Sequence, residues 1–192
     1  GTNDIPVVDT NAISNLPGGA EDTNYTITKQ QLLAGFSDAD RNATTGEQQA
    51  LDITDLAATD SEGNGVGTFA LNTEGTRWTF TPNASFNGVV NLAYNVTDGT
   101  ASTAATNTFE LASVNDAPEL TGAKAVLNSG NEDVDYILKA TDLLTGYTDA
   151  DNDAIEVFGI TSTSGLISNN NDGTFPFKPN PDISGEVTLE YV

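Results

Sequence analysis

Hydrophobic and polar residues alternate in this chain over short stretches that are separated by Gly, Asn, Asp and Pro. Val90, Leu92, Tyr94 and Val96 fall on one side of such a stretch, and Val89, Asn91, Ala93 and Asn95 on the other, which predicts a strand with one buried face. The same pattern returns with Val187, Leu189 and Tyr191 inward and Glu186, Thr188 and Glu190 outward. Trp78 and Phe80 form another inward pair, answered by Phe175 and Phe177, and these aromatics read as core. Further strands are expected from Tyr25 to Thr28, Ala50 to Ala57, Thr68 to Asn72 and Ala105 to Val114, with short helical turns at Lys29 to Ala34 and Ala140 to Thr145. Strands of about five residues bounded by turn formers predict an all-β fold, a sandwich of about seven strands per repeat.

The phrases themselves repeat. VNDAPEL (Val114 to Leu120) echoes NDIPVV (Asn3 to Val8), LLAGFSDAD (Leu32 to Asp40) returns as LLTGYTDAD (Leu143 to Asp151), and Glu21 and Asp22 return as Glu132 and Asp133. Later, ALDI (Ala50 to Ile53) meets AIEV (Ala154 to Val157), so the first copy carries an insertion within Arg41 to Gln49. Thr81, Pro82 and Asn83 answer Lys178, Pro179 and Asn180, while Gly88 and Tyr94 answer Gly185 and Tyr191. Two domains are therefore expected, residues 1–114 and 115–192. Counted against the first copy, Val192 stands where Asn95 does, so the second copy is expected to lack its last turn and last strand. Pro118 fixes its own φ and drives Ala117 towards extended backbone, which makes the connector stiff.

Charge narrows the function. The chain of 192 residues has 28 Asp and Glu against 6 Lys and Arg, a net charge of −22. Nucleic acid and anionic membrane recruit proteins through basic patches, so neither is expected as a partner. The acidity divides evenly, with 14 acidic and 3 basic residues on each side of the 114/115 boundary, and so belongs to the repeat rather than to a tail. Cys and His are absent, which excludes disulfides, thiol nucleophiles and imidazole bases. No apolar run approaches the roughly 18 residues of a membrane span, and membrane insertion is not expected. The chain reads as a fragment of a longer one.

The acidic residues recur at fixed places: the connectors (Asn3 with Asp4, Asn115 with Asp116), the Glu-Asp pairs (Glu21 with Asp22, Glu132 with Asp133), the DAD loops (Asp38 with Asp40; Asp149, Asp151 and Asp153) and the turn at Asp98. Hard cations such as calcium take six to eight oxygens from carboxylates, amides and carbonyls. Asp and Asn also make turns and cap strands, and one Asp-x-Asp by itself is better explained that way. Strand direction changes the balance. If strands alternate up and down, the connector, the DAD loop and Asp98 share the top of a domain, while Glu21 and Asp22 lie at its bottom beside Asn115. The bottom of repeat one and the top of repeat two then offer Glu21, Asp22, Asn115, Asp116, Asp149, Asp151 and Asp153 to one junction, which would repel itself without a cation. The loop is not an EF-hand, since Ala154 stands at the required Gly and Ile160 at the bidentate Glu.

Taken together, VNDAPEL, the Glu-Asp pair, the DAD loop, TPNASFNG (Thr81 to Gly88) and AYNVTDG (Ala93 to Gly99) resemble the tandem cadherin-like repeats of giant bacterial RTX-type surface adhesins. The resemblance covers both copies. It implies two immunoglobulin-like Greek-key sandwiches, Ca2+ between successive domains, and a rigid extender in an adhesin stalk, extracellular and on the bacterial cell surface, serving adhesion and biofilms. It also implies ligands: Glu21, Asn115 with Asp116, and Asp149 with Asp151 at the junction, and Asp38, Asp40 and Asp98, beside the Asp4 connector, at the top of repeat one. The second repeat departs from the family in lacking the last turn that would match Asp98. The expected partners are neighbouring repeats of the same chain and a surface or cell ligand bound elsewhere in the adhesin; the chain itself is expected to be a monomer.

Two other readings compete. A sugar- or protein-binding module needs exposed aromatics, and only Tyr25, Phe36, Tyr136 and Tyr147 are left to supply them. A glycosidase needs two carboxylates across a cleft, one with a raised pKa, and nothing in the sequence marks such a pair, so no enzyme is expected. Four Asn-x-Ser/Thr matches, at Asn24, Asn42, Asn83 and Asn95, are explained by chance in a chain this rich in Asn and Thr.

Overall fold

The computed structural model describes residues 2–41 and 46–192; Asn42 and part of the Arg41 to Gln49 insertion lie outside them. The chain divides into two compact units, Gly1–Asn115 and Asp116–Val192. Their regular structure is almost entirely β, with one four-residue helix in each.

In the first unit the elements are β1 (Val7–Val8), β2 (Gly19–Ala20), β3 (Tyr25–Thr28), α1 (Lys29–Leu32), β4 (Phe36–Ser37), β5 (Asp52–Thr59), β6 (Gly67–Leu71), β7 (Arg77–Pro82), β8 (Gly88–Thr97) and β9 (Ser102–Ala112). One sheet runs β2-β9-β8-β5, the other β3-β7-β6, and β1 pairs with β4. The segment from the connector to Glu21 is split between two partners. Its start lies antiparallel to β4, and its end crosses to lie parallel to β9, with Gly19 opposite Leu111.

Residues from both sheets close one core. Ile27, Phe80, Val90 and Val96 are wholly buried, and Leu92, Leu111 and Leu32 nearly so. The alternation read along β8 and β7 is the alternation observed. Tyr25 corrects its reading as a surface aromatic: only 8% of it is exposed, and its ring stacks on Phe109 at 4.1 Å between centroids. Phe80 meets the same Phe109 edge-on at 5.7 Å. Phe36, Tyr136 and Tyr147 are half-buried. The expected helical turns form, the first closed by a capping box in which Thr28 Oγ1 accepts from the Gln31 backbone N–H. Gly35 follows in a left-handed conformation (φ +84°), where a Cβ would come within 2.7 Å of the Asp9 carbonyl; Gly146 repeats this at φ +85° against Ala123. That close approach carries the chain from α1 into β4 and on to the DAD loop.

The second unit repeats the plan with β10 (Glu119–Leu120), β11 (Tyr136–Lys139), α2 (Ala140–Leu143), β12 (Tyr147–Thr148), β13 (Gly165–Ile167) and β14 (Thr174–Pro179). β10 pairs with β12, and β11-β14-β13 forms a sheet equivalent to β3-β7-β6. The equivalence extends to single bonds. Tyr94 Oη donates to the Leu32 carbonyl, and Tyr191 Oη to that of Leu143, each at 3.1 Å. Ala57 pairs with Ala93 across β5 and β8, and their counterparts Thr161 and Glu190 form a bridge. Phe158 and Val192 also exchange backbone hydrogen bonds, where Thr54 and Asn95 pair in the first unit, and among the described residues no strand matches β9. The core is correspondingly small: Leu138, Leu143, Val157, Phe175 and Phe177.

Phe80→Ala is expected to cost the first unit about 3–5 kcal/mol, because it leaves a cavity where both sheets and Phe109 meet. Leu71→Ala, at a side chain 53% exposed, is expected to stay within about 0.5 kcal/mol. Urea unfolding of both variants checks the contrast.

Candidate metal-binding ends of the units

Two ends of the first unit gather acidic groups, and hydrogen bonds show which residues share each end. At one end the connector meets the DAD loop and the β8–β9 turn. The Asp4 backbone N–H donates to Asp40 Oδ2 (2.6 Å), the Asp40 N–H donates to Asp38 Oδ1 (2.7 Å), and Asn3 Nδ2 donates to Asp98 Oδ2 (2.9 Å). Asp98 Oδ1 accepts from the Thr100 and Ala101 N–H groups, and Gln49 Nε2 reaches the Asp98 carbonyl. Asp4, Asp38, Asp40 and Asp98 are therefore brought together. The backbone N–H groups of Ala101 and Thr100, and then the Asn3 amide, hold the Asp98 carboxyl below the usual carboxylate range.

Asp38 stands apart. Its side chain is buried, 4% exposed, and Oδ2 is out of contact with solvent with no hydrogen-bond donor among the described residues. A buried carboxylate oxygen without a donor is costly unless a cation or proton satisfies it, so the chemistry of this end fits a hard cation. Among the described residues no group of three or more acidic side chains is drawn together closely enough to hold an ion.

The second unit builds the same arrangement. The Asp116 N–H donates to Asp151 Oδ2 (2.7 Å), and the N–H groups of Asp151 (3.0 Å) and Asp153 (3.1 Å) donate to Asp149 Oδ1. Asp149 and Asp151 are half-buried and Asp153 is exposed.

At the other end of the first unit, Glu21 is 1% exposed. Its Oε1 accepts from the Val114 N–H (2.7 Å) and its Oε2 from Asn87 Nδ2 (3.2 Å), which ties the exit of β9 to the end of β2. Asp22 takes a left-handed conformation (φ 56°), and its Oδ1 accepts from the Ser85 N–H (3.0 Å); Asp133 (φ 57°) and Asp182 repeat that bond at 3.2 Å. This recurring bond gives Asp22 a structural duty. Asn115 closes the unit and is exposed. The repeats do not flag Asn87 or Gln49: Asn87 is answered by Ser184, and Gln49 borders the insertion.

The chain matches the cadherin-like domain over residues 2–112 and 114–192. No curated protein matches it. Among solved structures it is similar to the endo-fucoidan hydrolase MfFcnA4 from glycoside hydrolase family 107, at 22% identity and a TM-score of 0.41, covering 97% of this chain and 26% of that one. It is similar too to MfFcnA9 of the same hydrolase family, at 20% identity and a TM-score of 0.32, covering 97% of this chain and 31% of that one. The chain thus spans between a quarter and a third of those proteins, and likenesses this distant carry no argument about activity.

Because the Asp98 pKa is depressed in the fold, its contribution to stability is present above the unfolded value of about 3.9 and is lost as pH falls through the folded value. In metal-free solution Asp98→Asn is expected to flatten this part of the acid limb. Urea unfolding at steps from pH 5 to pH 2.5 reads it, with an unchanged slope as the contrary result.

Proposed function

The chain belongs to the cadherin-like domain family, and from that premise we propose that it is a calcium-rigidified extender module of a bacterial cell-surface adhesin of the RTX type. Family membership points to a non-enzymatic module with an extender or adhesion role. The observation that carries the calcium reading is Asp38 Oδ2, buried and without a donor among the described residues, beside acids that the connector holds in place. In this reading Asp38, Asp40 and Asp98, with the Asp4 connector, hold Ca2+ at the first unit's end. Asp116, Asp149, Asp151 and Asp153 do so for the second. Calcium supplies charge neutralisation and a fixed coordination shell, so a run of such repeats stiffens when it is loaded. An extracellular setting follows, since weak sites of this kind, with Kd of about 10⁻⁴ to 10⁻³ M, fill only at millimolar calcium.

One substitution separates this from a purely structural role for the acids. In chelator, Asp38→Asn is expected to be as stable as the parent or slightly more so, because it removes a buried charge of which one oxygen, Oδ2, has no donor among the described residues. In 10 mM calcium the parent is expected to gain about 2.7 kcal/mol for a Kd near 10⁻⁴ M, and the variant to lose most of that gain. Calorimetry with and without chelator reads both. A parent that melts identically in the two solutions, or a variant that keeps the full calcium gain, overturns the proposal.

A further inference from the structure

The first unit contains a groove of about 1030 Å³ between α1 and the turn that joins β6 to β7, with Lys29, Gln30, Gln31, Asn72, Glu74 and Arg77 in its walls. Its size stands at the upper end of the range of about 300–1,000 Å³ for small-ligand sites, but most of its lining residues are polar where such sites are mostly apolar. The groove holds Lys29 and Arg77, two of the three basic residues of the first unit, in a chain of net charge −22. The third is Arg41.

Hydrogen bonding within the groove leaves donors over. Glu74 commits both carboxylate oxygens to its own turn, Oε1 accepting from Thr73 Oγ1 and Oε2 from Asn72 Nδ2. Gln31 Oε1 accepts from the N–H and the hydroxyl of Thr28, which leaves Nε2 as a donor. Lys29 Nζ is held by Asp52 at 2.9 Å. Arg77 is exposed; its backbone N–H donates to Asn72 Oδ1, but its guanidinium has no hydrogen bond or ion pair among the described residues. The fold does not require these groups. In the second unit Ala140 stands at Lys29, Asp142 at Gln31 and Thr174 at Arg77, with a lysine, Lys139, at Thr28. The scaffold is common to both units, whereas this donor-rich lining belongs to the first.

We propose that this groove binds a short saccharide bearing a single carboxylate or sulfate group, the anion pairing with Arg77 and the sugar hydroxyls with the amides of Gln30 and Gln31. A guanidinium presents paired N–H donors in a plane that fits such an oxyanion. Amide side chains both donate and accept, as hydroxyl groups on a sugar ring require. One unpaired guanidinium suits one anion, and the field of a chain at −22 repels a polyanion. A peptide would need a free strand edge or apolar pockets. No edge is free where the walls meet, since Thr28 and Arg77 pair across β3 and β7 and the Lys29 N–H donates to the Thr76 carbonyl. None of the acids proposed to hold calcium lines the groove, so saccharide binding is independent of calcium.

The test is an amide NMR titration of the whole chain in chelator, at physiological ionic strength. The probes are maltotriose, maltotriose with its terminal ring oxidised to glucuronate, maltotriose with a terminal 6-O-sulfate, and the peptide Gly-Glu-Gly. Saturable shifts around residues 29–31 and 72–77 are expected with the glucuronate sugar, the sulfated sugar or both, and about tenfold weaker binding with plain maltotriose. Arg77→Met keeps the apolar stem of an exposed side chain, so it is expected to unfold at the same urea concentration as the parent while binding the charged sugar about tenfold more weakly. Absence of saturable shifts with both charged sugars overturns the proposal. So does equal binding of maltotriose, undiminished binding by Arg77→Met, or tighter binding of the peptide than of either charged sugar.

Discussion

Burial of one face of β8 is the constraint on which the first unit rests. Val90, Leu92, Tyr94 and Val96 are sealed under the opposite sheet, and that requires neighbours on both edges of the strand, β9 on one and β5 on the other. A side-chain period of two leaves no freedom: a slip of one residue would turn the whole row to solvent. Tyr94 adds a polar lock, its hydroxyl bonded to the carbonyl of Leu32 at the base of α1. α1 is thereby held in place, and with it Gly35, β4 and the DAD loop.

The same strand separates the acidic ends. Ten residues at about 3.3 Å each span roughly 30 Å, with Asn87 and its partner Glu21 near one end and Asp98 near the other. No cation can serve both. Each end must satisfy its own carboxylates or share them with whatever lies beyond it. The Asp98 end does so largely with backbone N–H groups, from Thr100, Ala101, Asp4 and Asp40, leaving Asp38 Oδ2 without a donor among the described residues. The Glu21 end gives each carboxylate oxygen of its most buried acid one donor.

Among the described residues of the second unit no strand takes the place of β9. The hydrogen bonds that depend on local sequence persist, including the Tyr191 hydroxyl, the Asp133 turn and the connector bond to Asp151. What depends on burial does not. Glu132 is exposed although its counterpart Glu21 is buried, because the exit of β9 and the Val114 N–H are what enclose Glu21. Phe158, on the counterpart of β5, is 64% exposed.

Much of this was legible in the sequence. A strand's period of two and the spacing of a repeat are local properties, so the buried faces of β7 and β8, the short helical turns and the all-β fold could be read directly. The grouping of Asp4, Asp38, Asp40 and Asp98 at one end also followed, because strand alternation is a counting rule. Other features depend on which backbones come to lie side by side, and no local pattern encodes that. The split of the segment from the connector to Glu21 between β4 and β9 is one, the burial of Tyr25 against Phe109 a second, and the recruitment of Asn87 and Gln49 a third. Asp38 joins both cases: its place in the loop was set by sequence, but the burial of Oδ2, without a donor among the described residues, came only with the tertiary fold.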